Sequence, residues 1–189
     1  MTIPLTISPA QPNDVVGVWH LLHQNLQENT DPHGWPEQGF LSFAYPLAFL
    51  QALQAVEPLV VAKAGDQVVG YCLPTPPNFA LESPLLGPFA AMVGDLIYKG
   101  RRVTQYRHCL MGQVCVGAGH RGQGLIGQLY AAMRDQLQDR YDLVVTEVSL
   151  RNLRSLGAHQ RYGWEIIHQY TDPANGDTWA VVAWWIGQE

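Results

Sequence analysis

HCLMGQVCV, His108–Val116, runs directly into GAGHRGQG, Gly117–Gly124. The first stretch is short and almost wholly apolar, as a strand covered on both faces must be. The second carries four glycines in eight residues, which frees the backbone to turn sharply and to approach a ligand closely. From there Leu125, Leu129, Met133 and Leu137 recur every four positions, the stripe of a helix laid against a core. A strand, a glycine loop and a helix in succession present the unpaired N–H groups of a helix start, at the positive end of its dipole. Such a start suits a phosphate, and Arg121 adds a fixed cation.

Downstream, DLVVTEV (Asp142–Val148) reads as the next strand. Asn152 caps a second helix that ends at Gly163. Trp164–Thr171 and Thr178–Ile186 form a hairpin across Asn175-Gly176, a strong turn pair. Upstream, Leu5–Ser8 is a short strand, and Pro12-Asn13-Asp14 caps a helix with Val15, Val18, Leu21, Leu22 and Leu26 on its apolar face. Asn29–Tyr45 is rich in Pro, Gly and aromatics and reads as a loop. Pro46–Val56 has helical spacing, and Leu59–Ala62 with Val68–Cys72 flank Gly65-Asp66 as a hairpin. Residues 74–107 are too many for a turn, and within them Pro84–Tyr98 reads as a helix. The expected fold is one three-layer α/β domain over 1–189, with an insertion at about 74–107.

Composition narrows the classes. The chain has 189 residues, 47% hydrophobic and 14% charged, with a formal net charge of −5, an ordinary globular balance that suits a single core. Only Lys99-Gly100-Arg101-Arg102 is locally basic, read as a solvated turn, so no nucleic-acid partner is expected. No apolar run approaches the roughly 18–20 residues that span a bilayer, and Met1–Ile7 has no signal-peptide pattern. A cytoplasmic protein without a membrane partner is the expectation. The three cysteines, Cys72, Cys109 and Cys115, show no zinc spacing, so no metal is expected.

Two ligands compete for the loop. Gly117-Ala-Gly119-His-Arg-Gly122 matches G-x-G-x-x-G after a strand, the dinucleotide fingerprint, and Glu147 follows at a plausible distance. That motif usually opens a larger parallel sheet, whereas here more than a hundred residues precede it. The other ligand is the pyrophosphate of coenzyme A.

Val116–Gly127, taken with Thr146–Trp164, resembles the GNAT superfamily of N-acetyltransferases. The family's loop, R/Q-x-x-G-x-G/A, appears as Arg121-Gly122-Gln123-Gly124-Leu125-Ile126, then Gly127, with Ile126 replacing the last small residue. The upstream Val-x-Pro-x-x-Arg-Gly appears with Ala118 in place of proline. The second motif, a strand Glu, then Asn, Tyr and Gly-Phe, appears as Glu147, Asn152, His159 and Gly163-Trp164, so His stands for Tyr.

The resemblance implies a GNAT-like central mixed, mostly antiparallel sheet of about seven strands flanked by helices. It implies acetyl-CoA as co-substrate and an acetyl group passed to a primary amine, carried on a small molecule, an amino acid or a peptide, by direct attack. Backbone groups of Val114, Cys115 and Val116 would hold the pantetheine, and amides from Arg121 to Gly127 the pyrophosphate. Asn152, with Ser155 and His159 on the same helix face, would meet the pantetheine arm. Glu147 would be the general base, and His159, or else Tyr162, the proton donor to the leaving thiolate. Trp35, Phe40, Phe43, Tyr45 and Tyr71, with the 74–107 insertion, would surround the acceptor. A catalytically silent acyl-CoA-binding module and a dinucleotide-binding oxidoreductase are the alternatives, and a homodimer is left open.

Overall fold

The computed structural model describes residues 4–187; the outermost residues of the expected 1–189 domain, including the first three of the Met1–Ile7 start, lie outside these. In chain order the elements are β1 (Leu5–Pro9), α1 (Asp14–Gln24), α2 (Trp35–Gln38), α3 (Leu47–Val56), β2 (Val60–Ala64) and β3 (Gln67–Thr75). There follow α4 (Pro77–Glu82), α5 (Gly87–Asp95), a small ribbon of β4 (Ile97–Tyr98) and β5 (Arg101–Arg102), and β6 (His108–Val116). The chain closes with α6 (Leu125–Leu137), β7 (Leu143–Ser149), α7 (Leu153–Arg161), β8 (Glu165–Thr171) and β9 (Thr178–Trp185).

Seven strands form one sheet in the order β1-β2-β3-β6-β7-β9-β8. Every neighbouring pair is antiparallel except β6 and β7, which run parallel. The parallel sheet that a dinucleotide fold requires is therefore not built here. Two apolar layers cover the sheet. One packs Val18, Leu22, Leu50, Leu53, Ala80 and Val93 against Val61, Tyr71, Leu110, Val145 and Val181. The other packs the α6 stripe against Val60, Ala62, Val69, Met111, Val144 and Val182. Neighbours such as Val60, Val61 and Ala62 alternate between the two layers, the period of two that a strand imposes.

Three expectations need correction. Asn13 precedes α1, but its side chain makes no capping bond; instead the Asp14 carboxylate accepts from the Gln11 N–H at 2.8 Å and pairs with Lys63 at 3.0 Å. The stretch 29–45 is not all loop, because Pro36 lets a single helical turn, α2, start at Trp35. The helix expected over Pro84–Tyr98 occupies only Gly87–Asp95. Lys99 and Gly100 take φ of 45° and 79°, the left-handed pair of a tight hairpin turn, so Ile97–Tyr98 pairs with Arg101–Arg102 instead. A separate short helix, α4, lies where no element was expected. No described helix is long and apolar enough to cross a membrane.

Leu125, Leu129, Met133 and Leu137 are all at most 2% exposed, so the α6 stripe is fully spent on the core. Leu129 lies over Gly70 of β3. Leu129→Ala therefore leaves a cavity and is expected to cost about 2–5 kcal/mol, measured by urea denaturation.

Candidate functional site

The site begins where two strands part. Parallel pairing of β6 and β7 covers only His108–Leu110 with Leu143–Val145. The Thr146 hydroxyl makes one last link, donating to the Met111 carbonyl at 2.7 Å. Beyond it, β6 continues with β3 and β7 with β9. Gly117 lies opposite Val69 and donates to its carbonyl at 2.8 Å. Antiparallel partners alternate between bonded and non-bonded pairs, so Cys115 turns its N–H and C=O to Tyr71 of β3. Val114 and Val116 turn theirs the other way, into the gap. The Val116 carbonyl accepts from Arg121 Nε at 2.9 Å.

The glycine loop closes one end of this gap. Gly122 and Gly124 adopt φ of 76° and 75°, which side chains rarely tolerate. Nothing lies within 4 Å of where a Cβ at Gly119, Gly122 or Gly124 would sit, so the loop backbone faces open space. Among the described residues, the N–H groups of Gly122, Gln123, Gly124, Leu125 and Ile126 find no acceptor. Five free amides at the start of a thirteen-residue helix form an anion cradle.

The cleft beside the cradle has a volume of about 590 Å³, within the range of sites for extended ligands. Its walls carry His120, Arg121, Arg154 and Arg161 and no acidic residue. Arg121 reaches Gln38 Oε1 at 3.0 Å and Asn25 Oδ1 at 2.5 Å. Those acceptors and the Val116 carbonyl are all neutral, so the guanidinium is held in place without losing its charge to a partner carboxylate. Burial lowers its pKa from the ordinary arginine value, which still leaves it a cation. Asn152 ties the opposite wall together: its Oδ1 accepts from the Ser155 N–H at 3.2 Å, and its Nδ2 donates to the Phe40 carbonyl at 2.8 Å. The cradle, the cation row and the gap-facing backbone of Val114 and of the Val116 N–H match, in that sequence, the diphosphate and amide-bearing arm of coenzyme A.

A second, smaller chamber of about 70 Å³ opens beyond the strand gap, with Phe40, Leu41, Val114, Asn152 and Ser155 shared between the two. Glu147 of β7 stands in it. Tyr170 of β8 donates its hydroxyl to Glu147 Oε2 at 2.5 Å. Burial pushes the Glu147 carboxyl up to about 7; the Tyr170 bond opposes that rise, and the nearby charge of Asp172 adds to it. A carboxyl in this state exchanges its proton near neutral pH.

His159 also borders this chamber, 2% exposed. Its Nδ1 lies 2.7 Å from the Ser155 carbonyl, which can only accept, so Nδ1 carries the hydrogen and Nε2 is bare. Among the described residues Nε2 has no partner. Burial drops the ring to about 4, against the smaller opposing effect of the Ser155 bond, so the imidazole is neutral. It packs between Trp164 and Tyr130, with ring centres 5.1 and 5.8 Å away. Tyr162 borders the large cleft instead, its ring so close to Gly127 that a Cβ there would lie 2.3 Å from it.

The five aromatics expected around the acceptor separate. Phe40 lines both chambers, and Tyr45 lines the small one while its hydroxyl donates to the Gly112 carbonyl at 3.0 Å. Trp35 lines neither; it stacks on Phe40 at 4.5 Å and donates its indole N–H to Thr30. Tyr71 lines neither and is fully buried, donating to Gln113 Oε1 at 2.6 Å. Phe43 lines the small chamber, as do Leu86 and Phe89 of the 74–107 segment, and the structure adds Trp179, stacked on Phe43 at 5.5 Å. The sequence reading missed Tyr170, Arg154 and Arg161 as well. The two arginines have a signal, because Arg154, Ala158 and Arg161 fall on one helical face. Tyr170 has none, since it reaches Glu147 across an intervening strand. All three cysteines are buried and free; burial pushes the Cys115 thiol up to about 12, so it is no nucleophile at neutral pH. Among the described residues no cluster of His, Cys, Asp or Glu is placed to hold a metal ion.

A family model described as the acetyltransferase (GNAT) family matches residues 19–164. Solved structures resemble the whole fold at low identity. The ribosomal-protein-S18-alanine N-acetyltransferase of Escherichia coli superposes with a TM-score of 0.64 at 12% identity, covering 98% of this chain and 96% of that one. Ard1 of Thermoplasma volcanium gives 0.66 at 15%, over 98% and 99%. The putative acetyltransferase yncA of Salmonella typhimurium, solved with its cofactor acetyl-CoA, gives 0.63 at 16%, over 98% and 96%. A search of the curated proteins found no match.

The cradle yields a direct expectation. Gly124→Asp sets a carboxylate among the free amides at a left-handed position. Calorimetric titration with coenzyme A should show binding weakened by about tenfold or more, with the helical far-UV spectrum retained.

Proposed function

The chain belongs to the acetyltransferase (GNAT) family and so to the enzymes of acetyl-CoA-dependent acetyl transfer, and from that premise we propose that it acetylates a primary amine by direct attack, with Glu147 as general base. The observation that carries this reading is the Glu147 carboxyl, poised near pH 7 in a small chamber that shares Val114 and Asn152 with the coenzyme cleft.

Acetyl-CoA supplies an already activated thioester. The chain's residues do the rest. The amides of Gly122–Ile126, with Arg121, hold the diphosphate, and the N–H and C=O of Val114, with the N–H of Val116, align the arm through the strand gap. The Val114 N–H stands where it can donate to the acetyl oxygen as charge builds there. Glu147 takes the proton from the incoming ammonium. The nitrogen then bonds to the acetyl carbon, the carbon–sulfur bond breaks and the nitrogen sheds a second proton, so that of the two protons lost by the ammonium one ends on the sulfur and the other passes to solvent. A thiol has an ordinary pKa of about 8.5, above that of Glu147, so the protonated carboxyl can return its proton to the thiolate, directly or through water.

His159 enters this scheme differently from the sequence expectation. A neutral imidazole whose only N–H is bound to the Ser155 carbonyl has no proton to give from Nε2. We assign it to orienting the wall of the chamber, with its bare Nε2 as an acceptor. Tyr162, set against Gly127 in the large cleft, faces the coenzyme side and not Glu147. The silent-module alternative stays distinct in the same assay: tight acetyl-CoA binding with no thiol release on any amine would establish it.

Glu147→Gln should lower kcat by about 10²–10⁴-fold and leave coenzyme affinity unchanged, read by thiol release and calorimetry. An unchanged rate removes Glu147 from the mechanism. The carboxylate is the active form, so kcat/KM should rise as pH climbs through about 7. Tyr170→Phe removes a bond that favours the carboxylate, so Glu147 holds its proton to higher pH and the acid limb of the profile should move upward.

A further inference from the structure

The small chamber carries information about the acceptor beyond its amine. Phe43, Tyr45, Leu86, Phe89 and Trp179 form its apolar wall, neutral polar groups such as Ser42, Ser149 and Asn152 face them, and among the described residues Glu147 is the one charged group that lines it. No Lys or Arg lines it. Its other titratable neighbours supply no positive charge: His159 is neutral, and Tyr45 is held protonated, chiefly by burial and then by Glu147. Asp172 adds a second negative charge close enough to act on Glu147. The cation that flanks Phe40 from outside, Arg151, is engaged with Asp177 at 2.7 Å.

Resting on the transferase reading above, we propose that the acceptor is a primary amine carried on an uncharged, apolar or aromatic group, and that free amino acids are rejected because their carboxylate finds no partner in the chamber. The nitrogen arrives as an ammonium drawn by Glu147, and its carrier covers the Phe43–Trp179 stack and Phe89. An α-carboxylate would be brought within a few ångströms of Glu147, in a space whose described lining holds no cation to pair with it, where a second, uncompensated negative charge is strongly disfavoured. Selectivity of this kind comes from the repulsive partner as much as from the attractive one. The bonds made and broken are the same for every acceptor: carbon–nitrogen forms, carbon–sulfur breaks, and of the two protons the ammonium loses one ends on sulfur and the other in solvent.

Three matched acceptors test this with the intact protein and acetyl-CoA: phenethylamine, phenylalaninamide and phenylalanine, with thiol release expressed per unprotonated amine. The two uncharged carriers should exceed phenylalanine in kcat/KM by about tenfold or more. If only the amide is used, the chamber takes the end of a peptide; if only phenethylamine, a small amine; either supports the proposal. Equal or faster use of phenylalanine overturns it and leaves the transferase reading intact. Thiol release with none of the three overturns both. A variant tests the cause. Phe43 is 44% exposed, so Phe43→Arg can place a cation at the mouth without entering the core. The preference against phenylalanine should narrow by about threefold or more; an unchanged ratio refutes the charge argument.

Discussion

Everything functional in this molecule depends on three residues of parallel pairing that stop. β6 and β7 hold each other over His108–Leu110 and then diverge. Had the ladder continued, the N–H and C=O of Val114 and Val116 would have been consumed by β7, and no gap would exist between cleft and chamber. The divergence is affordable because each strand keeps a full antiparallel partner on its other side, β3 for one and β9 for the other. The backbone groups exposed in the gap are polar and unpaired, a state that favours a ligand carrying amides of its own.

Charge is partitioned across that gap. The chain as a whole is acidic, at −5, yet the large cleft shows three arginines and no carboxylate, while the small chamber shows a carboxylate and no cation. Net charge therefore said nothing about either pocket. The same protein lines one space with cations and sets a carboxylate in the space beside it.

The fold was largely legible because its signals are local. The α6 stripe, the glycine loop, the Asn175-Gly176 turn and the apolar run of β6 each lie within a short window. The insertion was less so: α4 and α5 sit either side of Pro84 and Gly87, and the helical periodicity of 84–98 was continued past Asp95 because a Lys–Gly turn looks like surface. At the site, residues adjacent in sequence, Arg121–Gly127 and Asn152–His159, could be named from motif spacing. Their protonation could not. His159 is neutral because Tyr130 and Trp164 enclose it, and Glu147 holds its proton near neutrality because burial raises its carboxyl and Asp172 adds to that rise, while Tyr170 from the final hairpin opposes it. Tyr71, which looked like an acceptor contact, is used up supporting Gln113 from beneath the sheet.

Phe40 borders both spaces, and its carbonyl is pinned by Asn152. A side chain common to two walls is a poor place for change, since reshaping it for a new acceptor would also disturb the grip on the donor. Phe43, Phe89 and Trp179 border only the smaller space. Diversification of this scaffold toward new amines is thereby channelled to the far wall, where the loop before α3, the 74–107 segment and the final hairpin meet, and where replacements leave the donor's half of the machinery unaltered.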